Sequence, residues 1–377
     1  MTDVRISGVG MTPFESEAAQ SILELAITAA ERAIADSPHT RDEITSLHVG
    51  NALTEALGTR TGLANALISA LGIEGAAADR IENTSASGAS AFQRGAHVVD
   101  SRASDVALVV GVEKMSVAET REVTESISRL VHDREYEQGV TLPSFGALAA
   151  GTYLDRYNVS REALGAVAAK NHRNAANNRV AQFQTEISIE DAAESPIVAE
   201  PLRLYDCCPT TDGGAAVVLS RDAGVRVESV ESATGTHAVA DRTDPLDIES
   251  VRLAGERAFA AAGLGPQNVD VACIHDAFTI LELLELEELG FYDAGTAWEA
   301  TLDGETALDG GLPVNPGGGL KARGHPLGAT GISQIIELVW QLRGDLRPDR
   351  QVPNAGTGLA VNVAGFGNNS VCTVLEG

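Results

Sequence analysis

Lysine is almost missing from this chain of 377 residues: only Lys114, Lys170 and Lys321 occur, and every other basic side chain is arginine. Lysine and arginine together number 27 against 53 aspartates and glutamates, a formal charge of −26. Phosphate contacts need clustered cations, so this balance excludes a general nucleic-acid binder. Acidic excess without lysine is also the composition of a chain that folds at molar salt. The Debye length there falls to about 3 Å and self-repulsion is screened. Cysteine is scarce too. Cys207, Cys208, Cys273 and Cys372 show no CxxC spacing, which argues against zinc, and a disulfide framework does not suit so large an intracellular chain. They are expected as reduced, buried thiols. No run of about 18 uncharged apolar residues exists, so no membrane span is expected. Met1 to Phe14 carries one basic residue, Arg5, and no apolar run, unlike a signal peptide. The expectation is a soluble, cytoplasmic protein.

What is present points to an α/β fold. A hydrophobic fraction of 44% is ample for a large core. Short Val-rich runs at Val106–Val110, Ala215–Leu219, Val271–Ile274 and Leu359–Val363 suit strands buried on both faces. A repeat links the two ends. Ala29–Ala35 reads like Ala254–Ala260, and at the same spacing Val49–Thr54 falls on Ile274–Thr279. Each copy is an apolar-periodic helix followed by a strand that ends in a polar turn. The expected division is a first half over 1–224 and a second half over 225–377. A segment of about 116–201, including a helix over Arg161–Asn177, interrupts the first half and is expected to cap a site.

Three stretches carry chemistry. Asn83-Thr84-Ser85-Ala86-Ser87-Gly88 is a turn opening an Ala-rich helix, Ala89–Val99. Free N–H groups and the positive end of the helix dipole suit a nucleophile there, although an N-cap serine gives the same pattern. Asn315 to Gly331 contains Gly324-His325-Pro326, a rigid turn before a helix over Ile332–Leu342. Its triple glycine lacks the spacing of a phosphate loop. The strand Val271–Ile274 delivers His275 and Asp276 to a strand end, where α/β proteins place their chemistry.

Together these stretches resemble the thiolases. Ser85-Ala86-Ser87-Gly88 occupies the family's CxSG turn, Gly324-His325-Pro326 its GHP motif, and His275-Asp276-Ala277-Phe278 the HDxF form of the sterol-carrier-protein and archaeal members. Gly111–Ser116, Lys170–Ala175 and Asp206–Ala215 are similar to further family segments. The resemblance implies a thiolase-like five-layered αβαβα fold of two duplicated halves. It implies a β-ketothiolase that condenses two acyl-CoAs or runs the reverse thiolysis, with coenzyme A thioesters as substrates and no other cofactor or metal. It also implies a homo-oligomer and a possible small OB-fold, zinc-ribbon partner protein.

The departures are specific. Ser85 stands where the family has its nucleophilic cysteine. The C-terminal cysteine falls near Asn362, and the cysteine of the HDCF form is Ala277. The expected catalytic set is Ser85, His275 and His325, with His325 as the base that lets a serine hydroxyl attack at neutral pH. Ala364, Gly365, Asn315 and Asn362 are expected around the oxyanion and substrate. Lys321 and Arg323, with Arg121 and Arg129, are candidates for a rim that meets the CoA phosphates. Two alternatives stand beside this reading. One is a thiolase-fold protein that only binds acyl-CoA or lipid. The other is a decarboxylating, ketoacyl-synthase-like enzyme, because two histidines flank the nucleophile.

Overall fold

Alternation along the apolar runs decides which layer each residue joins. In the strand Ala107–Glu113, Leu108, Val110 and Val112 pack to one side, while Ala107 and Val109 pack to the other. The same rule holds in Thr357–Ala364, where Leu359, Val361 and Val363 face away from Ala360. The computed structural model describes residues 3–377. Its strands are β1 (Arg5–Met11), β2 (Ser46–Gly50), β3 (Ala77–Ile81), β4 (Ala107–Glu113), β5 (Ile197–Ala199), β6 (Leu202–Arg203), β7 (Gly213–Ser220), β8 (Val225–Thr234), β9 (Val271–Cys273), β10 (Thr357–Ala364) and β11 (Asn369–Glu376). Nine of them run in the order β3-β2-β4-β7-β1-β8-β11-β10-β9, and β5 and β6 form a separate hairpin.

The order is a pattern used twice. β1 pairs antiparallel with β7, β7 antiparallel with β4, and β4 parallel with β2. β8, β11, β10 and β9 repeat those three relations in the same sequence. The nine strands thus form a first sheet, β3-β2-β4-β7-β1, and a second, β8-β11-β10-β9, made continuous by a short β1–β8 contact, Arg5 with Arg226 and Ile6 with Val225.

The helices are α1 (Ile22–Asp36), α2 (Leu63–Leu71), α3 (Ser87–Asp100), α4 (Thr120–Ser128), α5 (Asp133–Tyr136), α6 (Leu142–Tyr157), α7 (Glu162–Ala176), α8 (Ile189–Glu194), α9 (Glu249–Ala262), α10 (Thr279–Glu288), α11 (Ala297–Leu302), α12 (Gly319–Arg323) and α13 (Leu327–Arg343). α1 begins at Ser21 with a reciprocal cap: the Ser21 hydroxyl accepts from Glu24 N, and the Glu24 carboxylate accepts from Ser21 N at 2.7 Å. α1 and α2 cover the outer face of the first sheet, and α9 and α10 that of the second. α3 and α13 lie between the sheets, in one core with β4 and β7 on one side and β9, β10 and β11 on the other. Five layers result.

α13 starts at Leu327, five residues before the expected Ile332. Pro326 is its N-cap, with a φ of −71° that already suits a helix start. Gly328 and Gly331 are poor helix formers, but contact explains them. A Cβ on Gly88 of α3 would sit 2.5 Å from the Gly328 carbonyl oxygen, and one on Gly331 would sit 2.5 Å from Ala89 N. The N-terminal turns of the two central helices therefore meet backbone to backbone, which only glycine allows. The segment 116–201 supplies α4 to α8 and β5. Its helices α6 and α7 pack on α10 and α12, at the ends of the second sheet's strands.

Candidate active site

The meeting of α3 and α13 sets two turns side by side. Ser85 precedes α3, His325 precedes α13, and His275 follows β9. All three line one pocket with Gly365, Met115, Val123, Ile127, Leu142, Phe278 and Leu327.

The two serines of the first motif have different tasks. The Ser87 hydroxyl donates to Thr84 O at 2.6 Å and accepts from Asn83 N at 2.9 Å, so it ties the turn. The Ser85 hydroxyl has no hydrogen-bond partner among the described residues and faces the pocket. Thr84, just before it, has φ +47°. A β-branched residue rarely adopts that conformation, and such strain gathers where a side chain must be aimed.

His325 is held on both sides. Its backbone N donates to Thr211 Oγ1 at 3.0 Å, and its Nδ1 lies 2.7 Å from Thr330 Oγ1. The Thr330 hydroxyl gives its own hydrogen to Pro326 O at 2.9 Å. Nδ1 must therefore carry the proton, which leaves the Nε2 lone pair free. Burial, with the charge of Arg323 adding to it, pushes the imidazole down to about 3. His325 is thus a neutral base at physiological pH.

His275 is set up the other way. Its ring centre is 5.0 Å from that of His325, edge to face. The Asn362 amide nitrogen, a donor only, lies 2.9 Å from His275 Nδ1. Nδ1 is then the acceptor and Nε2 carries the hydrogen. Burial and His325 hold this imidazole well below its ordinary value, so it is a neutral donor. Below it the chain is fastened by buried polar groups. Ile274 N donates to Asn315 Oδ1 at 3.0 Å, and His275 N donates to Glu285 Oε2 at 2.9 Å. Asp276 accepts from Leu320 N at 2.7 Å and Lys321 N at 3.2 Å. Glu282 takes an ion pair from Lys170 and a hydrogen bond from Asn315 Nδ2 at 3.1 Å. Asn315 is thus a support beneath His275, outside the pocket wall.

Two expectations are corrected. Lys321 and Arg323 form no rim: they are 1% and 2% exposed. Lys321 Nζ donates to Cys207 O at 2.8 Å, and the Arg323 guanidinium donates to Ser333 O at 3.2 Å. Asp276 draws the start of α12 inward and takes both cations with it. Arg121, in the first turn of α4, and Arg129, its C-cap, flank the pocket-lining Thr124 and Ser128 and are exposed. Cys207 and Cys208, expected as buried thiols, are half-buried and line the pocket. Cys207 pairs with Phe278, and Cys208 N donates to Ala277 O at 2.9 Å, which lays the main chain of both residues along the His275 loop. Burial pushes each of them up to about 12. Cys273 and Cys372 are buried in strands.

A glutamate outside the expected set joins the two halves of the site. Glu113 is fully buried at the end of β4, and its carboxylate accepts from Asn51 Nδ2, Ala52 N, Leu53 N and Gly328 N at 2.8–3.1 Å. Burial outweighs these donors and pushes it up to about 7. Its one local signal is its place in the family-like segment Gly111–Ser116.

Comparison with known proteins agrees with this geometry. The thiolase N-terminal domain model matches residues 4–223, and the thiolase C-terminal domain-like model matches residues 232–377. The chain belongs to the thiolase family, and it is an acyltransferase acting on coenzyme A thioesters. It is 38% identical over 386 residues to the acetyl-CoA acetyltransferase of Methanothermobacter thermautotrophicus, covering 100% of each chain. It is 37% identical to the protein of the same name from Methanocaldococcus jannaschii, covering 99% of this chain and 98% of that one. Among solved structures, an Ltp2-ChsH2(DUF35) aldolase superposes with a TM-score of 0.86 at 25% identity over 99% of this chain and 97% of that one. The fold also matches the Acat5 thiolase from Ascaris suum in complex with coenzyme A, with a TM-score of 0.74 at 21% identity over 99% of each chain.

Proposed function

We propose that this thiolase joins two acyl-CoAs, or cleaves a β-ketoacyl-CoA, through an acyl ester on Ser85. The observation that carries the reading is the placement in one pocket of an unpartnered Ser85 hydroxyl and a His325 whose tautomer Thr330 fixes. His325 Nε2 takes the hydroxyl proton as Ser85 Oγ attacks the carbonyl. The Ser85 N–H and an N–H of the Ala364–Gly365 turn receive the oxyanion of that step. His275 Nε2–H receives the enolate oxygen of the second acyl-CoA, with Asn362 holding the ring. A serine ester forms readily from a thioester, and in condensation its acceptor is carbon, so a thiol need not take the acyl group back.

The apolar wall of Val123, Ile127, Leu142 and Phe278 suits the pantetheine arm and acyl chain, and Arg121 and Arg129 are the cations placed for CoA phosphates. The repeated strand pattern supports halves over 1–224 and 225–377, with 116–201 as the cap. A cytoplasmic homo-oligomer with a small second protein completes the proposal. The structural neighbour named with a DUF35 component supports such a partner. No helix among the described residues is long and apolar enough to cross a membrane.

The test is mass mapping of the acetyl group after mixing with acetyl-CoA at molar KCl. It is expected on the Ser85 peptide and absent from Ser85→Ala, which also loses acetoacetyl-CoA thiolysis. An acetyl group on Cys207 or Cys208, or undiminished turnover by Ser85→Ala, overturns the reading.

A further inference from the structure

We propose that the adjacent thiols Cys207 and Cys208 are the acid–base group that carries the substrate α-proton. The inference rests on the Ser85 reading above and follows from counting protons in the pocket. Breaking the carbon–carbon bond of a β-ketoacyl-CoA leaves an enolate, whose α-carbon must be protonated. The same site must remove that proton in condensation.

The histidines are already committed. His325 uses its one lone pair, Nε2, for the Ser85 proton, because its Nδ1–H is bound to Thr330. The lone pair of His275 is on Nδ1 and is covered by the Asn362 amide, so the ring offers a hydrogen bond and no basic nitrogen. Giving up its Nε2 proton would leave an imidazolate. The remaining pocket groups with a transferable proton are the hydroxyls of Thr124, Ser128 and Thr210 and the two thiols. A thiol ionises far more readily than an alcohol.

Position favours the thiols as well. Main-chain pairing to Ala277 and Phe278 sets them beside the loop that carries His275, the enolate's hydrogen-bond donor. The Lys321 ammonium reaches the Cys207 carbonyl and opposes the effect of burial on both thiols. It is a fixed cation beside the thiolate formed when a proton leaves. That gives Lys321 a task inside the protein in place of the surface one expected of it.

The proton balance closes. In thiolysis, Ser85 Oγ bonds to the ketone carbon and His325 takes its proton. The bond from that carbon to the α-carbon breaks, and its electron pair goes to the enolate. The enolate carbon takes the proton of one thiol and leaves a thiolate. The incoming CoA thiol gives its proton to that thiolate as its sulfur attacks the acyl ester, and Ser85 recovers its own proton from His325. Nothing is oxidised or reduced.

The test separates acyl transfer from carbon-acid chemistry. With acetyl-CoA in D₂O, α-deuterium incorporation reports the thiols, while acetyl exchange from acetyl-CoA to dephospho-CoA reports Ser85 and His325. The double variant C207S/C208S is expected to lose deuterium incorporation and thiolysis by about 100-fold or more, while acetyl exchange stays within about threefold of wild type. The single variants show which thiol carries the larger share. Deuterium incorporation at the wild-type rate in C207S/C208S overturns the proposal. If that variant does not fold, methyl methanethiosulfonate on the wild-type enzyme decides. Blocked thiols should stop deuterium incorporation while Ser85 still acetylates, and dithiothreitol should restore it; full incorporation by blocked enzyme is the overturning result. Failure of the Ser85 reading looks different, because wild type would then carry no acetyl group on Ser85, and any acetyl exchange would survive in Ser85→Ala.

Discussion

The floor of the pocket and its cap wall are built on opposite plans. On the floor, every catalytic candidate except the Ser85 hydroxyl is hydrogen-bonded to a residue far away in the chain. His325 is tied to Thr211, His275 to Asn362, and Ile274 to Asn315. On the cap wall, α4 presents Val123 and Ile127, and its hydroxyls turn back on the helix: Thr124 donates to Thr120 O and Ser128 to Thr124 O. The floor fixes directions, as proton transfer requires, while the wall supplies only apolar surface, which tolerates different occupants. Substitutions on the floor should therefore alter kcat, and substitutions on the wall should alter KM.

The strongest break in that contrast is His325→Ala. It is expected to lower kcat by about 10²–10⁴-fold, the usual worth of a general base, with the fold intact by circular dichroism. The wild-type pH profile sharpens the point. A free histidine loses its basic nitrogen near 6.5, but His325 is pushed down to about 3, so kcat should show no acid limb at 6.5. The stability sign follows from linkage. Below 6.5 the unfolded chain protonates at this residue and the native chain does not, so acid costs the native state stability until about 3. His325→Gln lacks this loss. The difference in Tm between the two proteins should shift toward the variant as the pH is lowered through that window; a constant difference would mean that His325 is not held neutral by the fold.

Asn315→Ala comes next. It leaves the buried Ile274 N–H without an acceptor, which costs about 1–3 kcal/mol, and it puts alanine at φ +52°. A lower Tm is expected together with a lower kcat, as the His275 loop loses its support. Unchanged kcat in a destabilised protein would separate the floor from the chemistry. The smallest effect belongs to the wall. Ile127→Ala should shift KM among acyl-CoAs of different chain length by no more than about tenfold, with kcat nearly constant. A large loss of kcat there would erase the contrast.

The same contrast explains which parts of the molecule are legible in its sequence. Ser85, His275 and His325 stand out because turns, glycines and strand ends are local patterns, and the helix-and-strand repeat needs only one constant spacing. Their braces leave no local mark, since Thr211 and His325 are 114 residues apart and Asn362 and His275 are 87 apart. Lys321 and Arg323 mislead for a related reason. Cations beside a His–Pro turn suggest a surface, and nothing local reveals that Asp276 pulls the helix bearing them inward. Cys207 and Cys208 have no metal or redox spacing, and their place beside the His275 loop comes from pairing with Ala277 and Phe278 some 70 residues on.

The contact between Gly88 and Gly328 fixes more than a helix crossing. The turns that carry Ser85 and His325 are spaced by main-chain atoms in contact, with no side chain acting as a shim. A rotamer can slip and an ion pair can weaken as the surrounding salt changes, but two peptide groups in van der Waals contact have one closest approach. Ser85 and His325 are therefore spaced by a gauge that the medium cannot reset, in a chain whose formal charge is −26.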